Sequence, residues 1–487
     1  MNALLPVLIL LTSLVPACAT FFLAQDSHRL RNGLTLGGAV AKLGLIVWML
    51  FAVAGGATYE TSLPLAPGLV LLLRVDALAL LFISLSATLW FLTTVYAIAY
   101  FGTKAELSRF FGFFSLCVAA TTGLALSGSL ISFFIFFELL TLSTWPLVVH
   151  KQDKPSLAAA RIYLAYALPG SAALLWAIIW LESATGPVIF GTPPDLGTLD
   201  PMTLRAIFAL FIIGLGVKAA IVPLHGWLPS AMAAPAPVSA LLHAVAVVKA
   251  GAFGIVRVIY DVFGATNVVA LGVGVPLAMV ASFTIIWGSV RALQQDEIKK
   301  HLAFSTVSQV SYIVLGAALA SPLAMIGGLV HLIHQGLMKI TLFFCAGIYD
   351  ERANVKTIAG LNGLGPRMPW TSACFSLGAM GMIGLPPLAG FVSKFYLGLG
   401  GLEAGAPWVL GVLVASTLLN AAYFLPLLYR LWLLPAADNA QGDERAPGLI
   451  VPAVVTAAAA LGVGLLAASP LSPLGWATLI VTREYGP

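Results

Sequence analysis

Roughly fourteen stretches of this 487-residue sequence are apolar for long enough to cross a lipid bilayer, which leaves few architectures open. A helix needs about 20 apolar residues to span the hydrocarbon core. Such runs lie near 4–24, 33–54, 72–99, 110–126, 129–149, 157–181, 203–222, 238–262, 267–291, 299–319, 323–347, 370–399, 407–433 and 448–468. Only 9% of the residues are Asp, Glu, Lys or Arg and 60% are apolar, against about 25% charged in soluble domains. A soluble chain of this kind would expose large apolar patches to water, so the fold expected is an all-α integral membrane protein. A last apolar stretch, Leu471 to Val481, is too short to span. Met1 to Leu23 lacks a basic leading region and precedes many further spans, so it reads as a retained first helix rather than a signal peptide.

The connections carry a charge bias. If the N-terminus lies outside, the loops and helix ends on the cytoplasmic side hold Arg29, Arg31, Lys104, Arg109, Lys151, Lys154, Arg161, Arg291, Lys299, Lys300, Arg352, Lys356, Arg367, Arg430 and Arg445. The other side holds Arg74, Arg205, Arg257 and Arg483. Fifteen against four fits the positive-inside rule, and both termini are expected on the periplasmic or outer side of a cell (inner) membrane. The net charge of +5 is spread along the chain and forms no basic stripe, which argues against nucleic acid as a partner. Cys18, Cys117, Cys345 and Cys374 stand alone in apolar stretches and read as small buried hydrophobes.

Five lysines fall inside predicted spans: Lys42, Lys218, Lys249, Lys339 and Lys394. Lys42 is expected near a helix end, its stem snorkelling to the interface. The seventh and twelfth spans carry helix-breaking sequence, Gly214, Gly216 and Pro223 around Lys218, and Pro386, Pro387 and Gly390 ahead of Lys394. Broken helices at corresponding places in two halves point to inverted repeats with an ion site in each. Five spans per repeat, an odd number, turn the second copy over. The expected layout is helices 1–3 over 1–109, repeats over 110–265 and 266–434, and helix 14 with a tail over 435–487.

A charged side chain at the bilayer centre costs about 2.5–3.5 kcal/mol on insertion scales and marks ion or proton pathways. Glu138 is the only acidic residue near the middle of a span. Beside Lys218 it would favour the charged form of both, and separating the two would release a proton; the competing reading is a static ion pair that fixes packing. His243 and Lys249, six residues apart, are expected on different helix faces, handing a proton between depths. His331, Gln335 and Lys339 recur at i, i+4 and i+8, a polar stripe flanked by His334. The alternative for that stripe is interhelical hydrogen bonding alone. Lys394 closes the series. No dinucleotide-binding glycine motif, phosphate loop or hydrolase triad is supported by its context, and no flavin, haem, metal or quinone motif is visible, so no cofactor is expected.

The Glu138 segment, VKAAIVPLHGWLPSAMAAPAPVSALLHAVAVVKAG, DEIKKHLAFSTVSQVSYIVLG, HLIHQGLMKITLFFCAG and IGLPPLAGFVSKFYLG together resemble the antiporter-like family shared by respiratory complex I and the multisubunit Mrp-type cation/proton antiporters. The resemblance covers about residues 110–400 and is nearest the D-type member of the Mrp antiporters. It implies fourteen spans, inverted five-helix repeats and broken seventh and twelfth helices. It also implies that Glu138 and Lys218 pair in the first half-channel, that His243 and Lys249 connect, that His331 and Lys339 serve the second half-channel, and that Lys394 is the terminal site. Gln335 stands where the family often has a second histidine; an amide cannot titrate, so His334 or water would substitute. The function expected is a proton-translocating subunit of a monovalent cation (Na+)/proton antiporter, partnered by other membrane subunits. The alternative is a proton-pumping subunit of a complex I-like oxidoreductase, its redox chemistry held by partners.

Overall fold

The computed structural model describes residues 4–66, 69–102, 106–436 and 443–485; Lys104 lies outside them. The chain is a helical bundle. Its helices are α1 Leu5–Phe21, α2 His28–Ala54, α3 Ala77–Phe101, α4 Leu107–Ala125, α5 Leu130–Val148, α6 Lys154–Thr185, α7 Pro201–Lys218 and α8 Ala236–Phe263. There follow α9 Gly274–Leu293, α10 Ile298–Ala318, α11 Pro322–Ala353, α12 Pro369–Ile383, α13 Ala389–Glu403, α14 Trp408–Trp432, α15 Pro447–Leu465 and α16 Pro473–Glu484. Eleven of these are long and apolar enough to cross a membrane. With α1, α10 and the two-part α12–α13 the passes number fourteen, as the apolar runs predict. Helix starts are set locally. Asp76, Ser129, Asp153, Asp200 and Ser321 each accept a backbone N–H of the first turn that follows, and proline at the first or second helical position donates nothing that would go unpaired.

Two expectations need correction. The third run does not begin as helix at 72: Leu69–Val75 is a strand (β2) paired antiparallel with Tyr59–Ala66 (β1), and Asp76 starts the helix behind it. LVLLLRV is apolar enough to extend a predicted span but pairs as a hairpin. Lys42 is not near a helix end. The second helix starts at His28, five residues earlier than its apolar run, so Lys42 sits midway along 27 residues and is 1% exposed.

The expected charge faces can be traced through contacts. On one side Arg31 reaches Ser108, Arg109 reaches the His150 carbonyl, Lys299 the Ala234 carbonyl and Arg352 Asp443; this is the basic face. At the other side Arg257 is clamped by Asp76 at 2.7 Å and Asp261 at 2.8 Å, although it is only 2% exposed. Tyr485 donates to Asp261, Glu484 accepts the Ala77 N–H, and Arg483 donates to the Val53 carbonyl, which ties α16 to the same cluster. Burial, then the neighbouring Asp76 carboxylate, pushes the Glu484 carboxyl up to about 7 from its usual 4.5, with Arg257 pulling the other way.

A raised carboxyl pKa means that docked α16 holds a proton the free segment lacks. The stabilisation is complete below about pH 4.5 and is lost as pH rises through about 7. Hydrogen-exchange protection over 473–484 is therefore expected to be about tenfold lower at pH 8 than at pH 5.5 after correction for intrinsic rates, and Glu484→Gln is expected to remove that dependence.

Candidate functional site

The two broken spans place the first and last lysines. Helix α7 ends at Lys218, and the chain continues irregularly through Ala219–Gly226 before a short turn of helix at Trp227–Ser230. Helix α12 ends at Gly384, whose positive φ of 93° suits a residue without Cβ, and α13 restarts at Ala389. The unpaired carbonyls at a helix C-terminus carry partial negative charge and favour a cation. Lys394 uses them: its Nζ donates to the Ile383 carbonyl at 2.7 Å and to Thr417 Oγ1 at 3.1 Å. Lys218 is itself the last residue of its half-helix, and its Nζ donates to the Phe137 carbonyl while standing 3.4 Å from the centre of the Phe137 ring.

Glu138 does not close on Lys218 as a direct ion pair. Its Oε1 accepts from Ser171 Oγ instead, and the two charges act on each other without touching. The amine thus binds the backbone of the residue adjacent to its expected partner. Next to it, Cys117 contacts Ser143 and Thr144.

Helix α8 and the Ala324–Tyr349 stretch of α11 are fully buried and carry the middle of the series. His243 lies in a π-helical turn, Leu241–Val245, with Ala246 off helical geometry after it. That interruption changes the phase of the helix. His243 packs on Phe343 at 4.5 Å and Lys249 donates to the Leu332 carbonyl at 2.8 Å, so both meet α11, at different depths. The expectation of separate faces assumed a regular helix. Gly251 of α8 lies directly on the end of α7: a Cβ there would come within 2.2 Å of the Ala219 nitrogen. Close backbone contact therefore joins the Lys218 and Lys249 segments.

On α11 the i, i+4, i+8 stripe divides in two. His331 Nδ1 lies 2.8 Å from Ser393 Oγ, the neighbour of Lys394, and its ring packs on Tyr312. Lys339, about 12 Å further along the helix, turns to α10, donating to Ser305 Oγ and to the Leu302 carbonyl at 3.2 Å. The lysines are therefore not strung in sequence order. Lys249 and Lys394 both lie in electrostatic range of His331, and Lys249 is in range of Lys339.

Several polar atoms here have no protein partner among the described residues: both ring nitrogens of His243 and His334, Nε2 of His331, and the side-chain amides of Gln309 and Gln335. All five residues are fully buried. Buried polar groups left unpaired cost about 1–3 kcal/mol each. Gln309, Ser393, Thr417 and Asn420 were not singled out from the sequence. The signal was available for Gln309, which lies four residues beyond Ser305 on a helix that also buries His301, Ser308 and Ser311.

A many-pass helical bundle in which two spans are interrupted beside buried lysines defines an antiporter-like membrane subunit. Residues 127–420 match the family model described as NADH:quinone oxidoreductase/Mrp antiporter, membrane part, and the chain belongs to that family. It is 36% identical to NADH-quinone oxidoreductase subunit N of Desulforudis audaxviator, over 89% of this chain and 87% of that one. It is 31% identical to the A-type subunit of the Na(+)/H(+) antiporter of Alkalihalophilus pseudofirmus over 79% of this chain, but spans only 49% of that longer protein. A chain in the Mrp complex of a Dietzia species shares the fold, with a TM-score of 0.86 and 23% identity over 99% of this chain and 98% of that one.

Proposed function

We propose that this chain is the proton-translocating subunit of a multisubunit complex in the plasma membrane, with its basic face cytoplasmic and both termini outside. The observation that carries the reading is the row of buried lysines held by carbonyls and hydroxyls, interleaved with buried polar atoms that lack protein partners among the described residues. Neutral and protonated amines both fit such partners, and water joins the gaps between them. In this reading Lys218 loads a proton and Glu138 alternates between Ser171 and Lys218. Lys249 receives the proton across the Gly251 contact and shares it with His331, and Lys394 passes it out. Lys339, His243 and His334 form a branch towards the basic face.

Two couplings are compatible with this path. Exchange against a monovalent cation such as Na+ follows from the likeness to an antiporter component. Redox-driven pumping follows from the higher identity, over a larger share of both chains, to a quinone oxidoreductase component, and we favour it for that reason. The complex purified through a tag on this chain and sealed in vesicles separates them. Proton movement that needs an electron donor and quinone establishes redox drive; movement raised by a Na+ gradient alone establishes antiport; none of either, with assembly intact, refutes translocation.

A further inference from the structure

The relay above leaves one buried lysine unused. Lys42 Nζ donates to Ser13 Oγ at 2.7 Å and Thr122 Oγ1 at 2.6 Å, and stands 5.2 Å from the centre of the Trp90 ring. Both hydroxyls spend their own protons on backbone carbonyls, of Leu10 and Val118, so each presents oxygen to the amine. Among the described residues, no acidic side chain acts on Lys42. A lysine at mid-depth with neutral oxygen partners and no counter-ion is costly in a membrane unless water reaches it.

A route for water is marked out on three helices. On α4, Ser108, Ser115 and Thr122 recur every seven residues; on α1, Ser13 and Thr20 do the same; on α2, Arg31, Thr35 and Lys42 fall within one stripe. Seven residues bring a helix back to within about 20° of its starting direction, so each set shares a face. All these side chains are buried. The stripes are joined at both ends. At the basic face Arg31 Nη1 meets Ser108 Oγ at 3.4 Å and its Nη2 meets His28 Nδ1 at 2.6 Å; about 16 Å further along α2, Lys42 meets Thr122 and Ser13. Between those ends the hydroxyls of Thr20 and Ser115 have no partner among the described residues, although both side chains are fully buried. Beyond Lys42 the buried stripe of α2 turns apolar, through Ile46, Met49 and Val53. The seam is polar from one side only.

We propose that α1, α2 and α4 enclose a hydrated seam from the basic face that ends at Lys42, a proton-loading site additional to the relay; this rests on the translocation reading. The neutral amine takes one proton from the water column and returns it the same way, so no other group changes. The loaded charge lies beside α4, whose Cys117 region adjoins Lys218. In this proposal loading of Lys42 acts on the relay through α4, which holds Thr122 against Lys42 and Cys117 near Lys218, not by direct approach of the two amines.

The test uses the tag-purified complex in vesicles. Lys42→Met and Lys42→Arg are expected to assemble and to lower proton flux about tenfold, the arginine because it cannot give up its proton. A thiol at Ser115→Cys is expected to react with a small water-soluble thiol reagent added at the basic face and not at the other, read by mass spectrometry of that peptide. Full flux with arginine at 42 makes the site a fixed charge and overturns the proposal, as does an unreactive thiol at 115. If Lys42→Met does not assemble, Lys42→Arg and the thiol still decide. Loss of flux in Lys218→Met beside unchanged flux in both Lys42 variants refutes the seam alone; unchanged flux in Lys218→Met refutes the relay itself.

Discussion

Replacing Lys218 by Met is expected to lower proton flux through the assembled complex by about a hundredfold or more, within the range lost when a positioned proton-transfer group is removed. In the proposed relay its Nζ carries the proton at the end of α7, and its hydrogen-bond partner, the Phe137 carbonyl, takes up no proton near neutral pH. Methionine keeps most of the volume, so assembly is expected to survive. Lys218→Arg is expected to fail as fully as Met, because a guanidinium stays charged. Glu138→Gln should cost less, because Glu138 acts on Lys218 at a distance and its hydrogen bond to Ser171 can be kept by an amide. Flux in vesicles, with the content of each component checked on a native gel, decides the matter. Wild-type rates in Lys218→Met would remove the residue from the path.

Lys394→Ala is expected to have an effect of similar size, about a hundredfold, and for a distinct reason. Lys394 borders a cleft of about 400 Å³ on the outside of the bundle, walled by Phe391, Phe395 and Leu410. Of the lysines in the proposed relay it is the most exposed, at 8%. Alanine there leaves the Ile383 carbonyl and Thr417 hydroxyl without their donor and stops the path one residue short of the cleft. Lys394→Glu is expected to retain more flux than alanine, because a carboxyl can also carry the proton. Equal losses in both variants would show that the amine's contacts matter and its titration does not.

The sequence made the bundle legible because the bilayer demands long apolar runs, and it made the breaks legible because Gly214, Pro223, Pro386 and Gly390 cannot continue a helix without cost. The relay residues stood out for the same reason that they are costly: charge is rare in apolar helices. What it hid was depth and direction. HRLRNG looks like a loop and is the first turn of α2, which displaced Lys42 towards an end it does not occupy. The hydroxyl stripes of α1 and α4 were invisible, since serine and threonine are common in membrane helices and only their contacts distinguish them. Arg257 was counted as a residue of the far side, whereas Asp76, 181 positions earlier, and the end of α16 bury it. Nor did periodicity reveal the π turn that brings His243 and Lys249 to one neighbour.

The halted end of α12 has a kinetic consequence. Carbonyl groups fixed at the end of a half-helix are already oriented for positive charge before any arrives, so little of the protein needs to rearrange when an amine beside them gains or loses a proton. In the proposed relay, a proton hop at Lys394 therefore calls for alignment of intervening water more than for movement of helices, and proton transfer there can proceed at nearly constant backbone conformation.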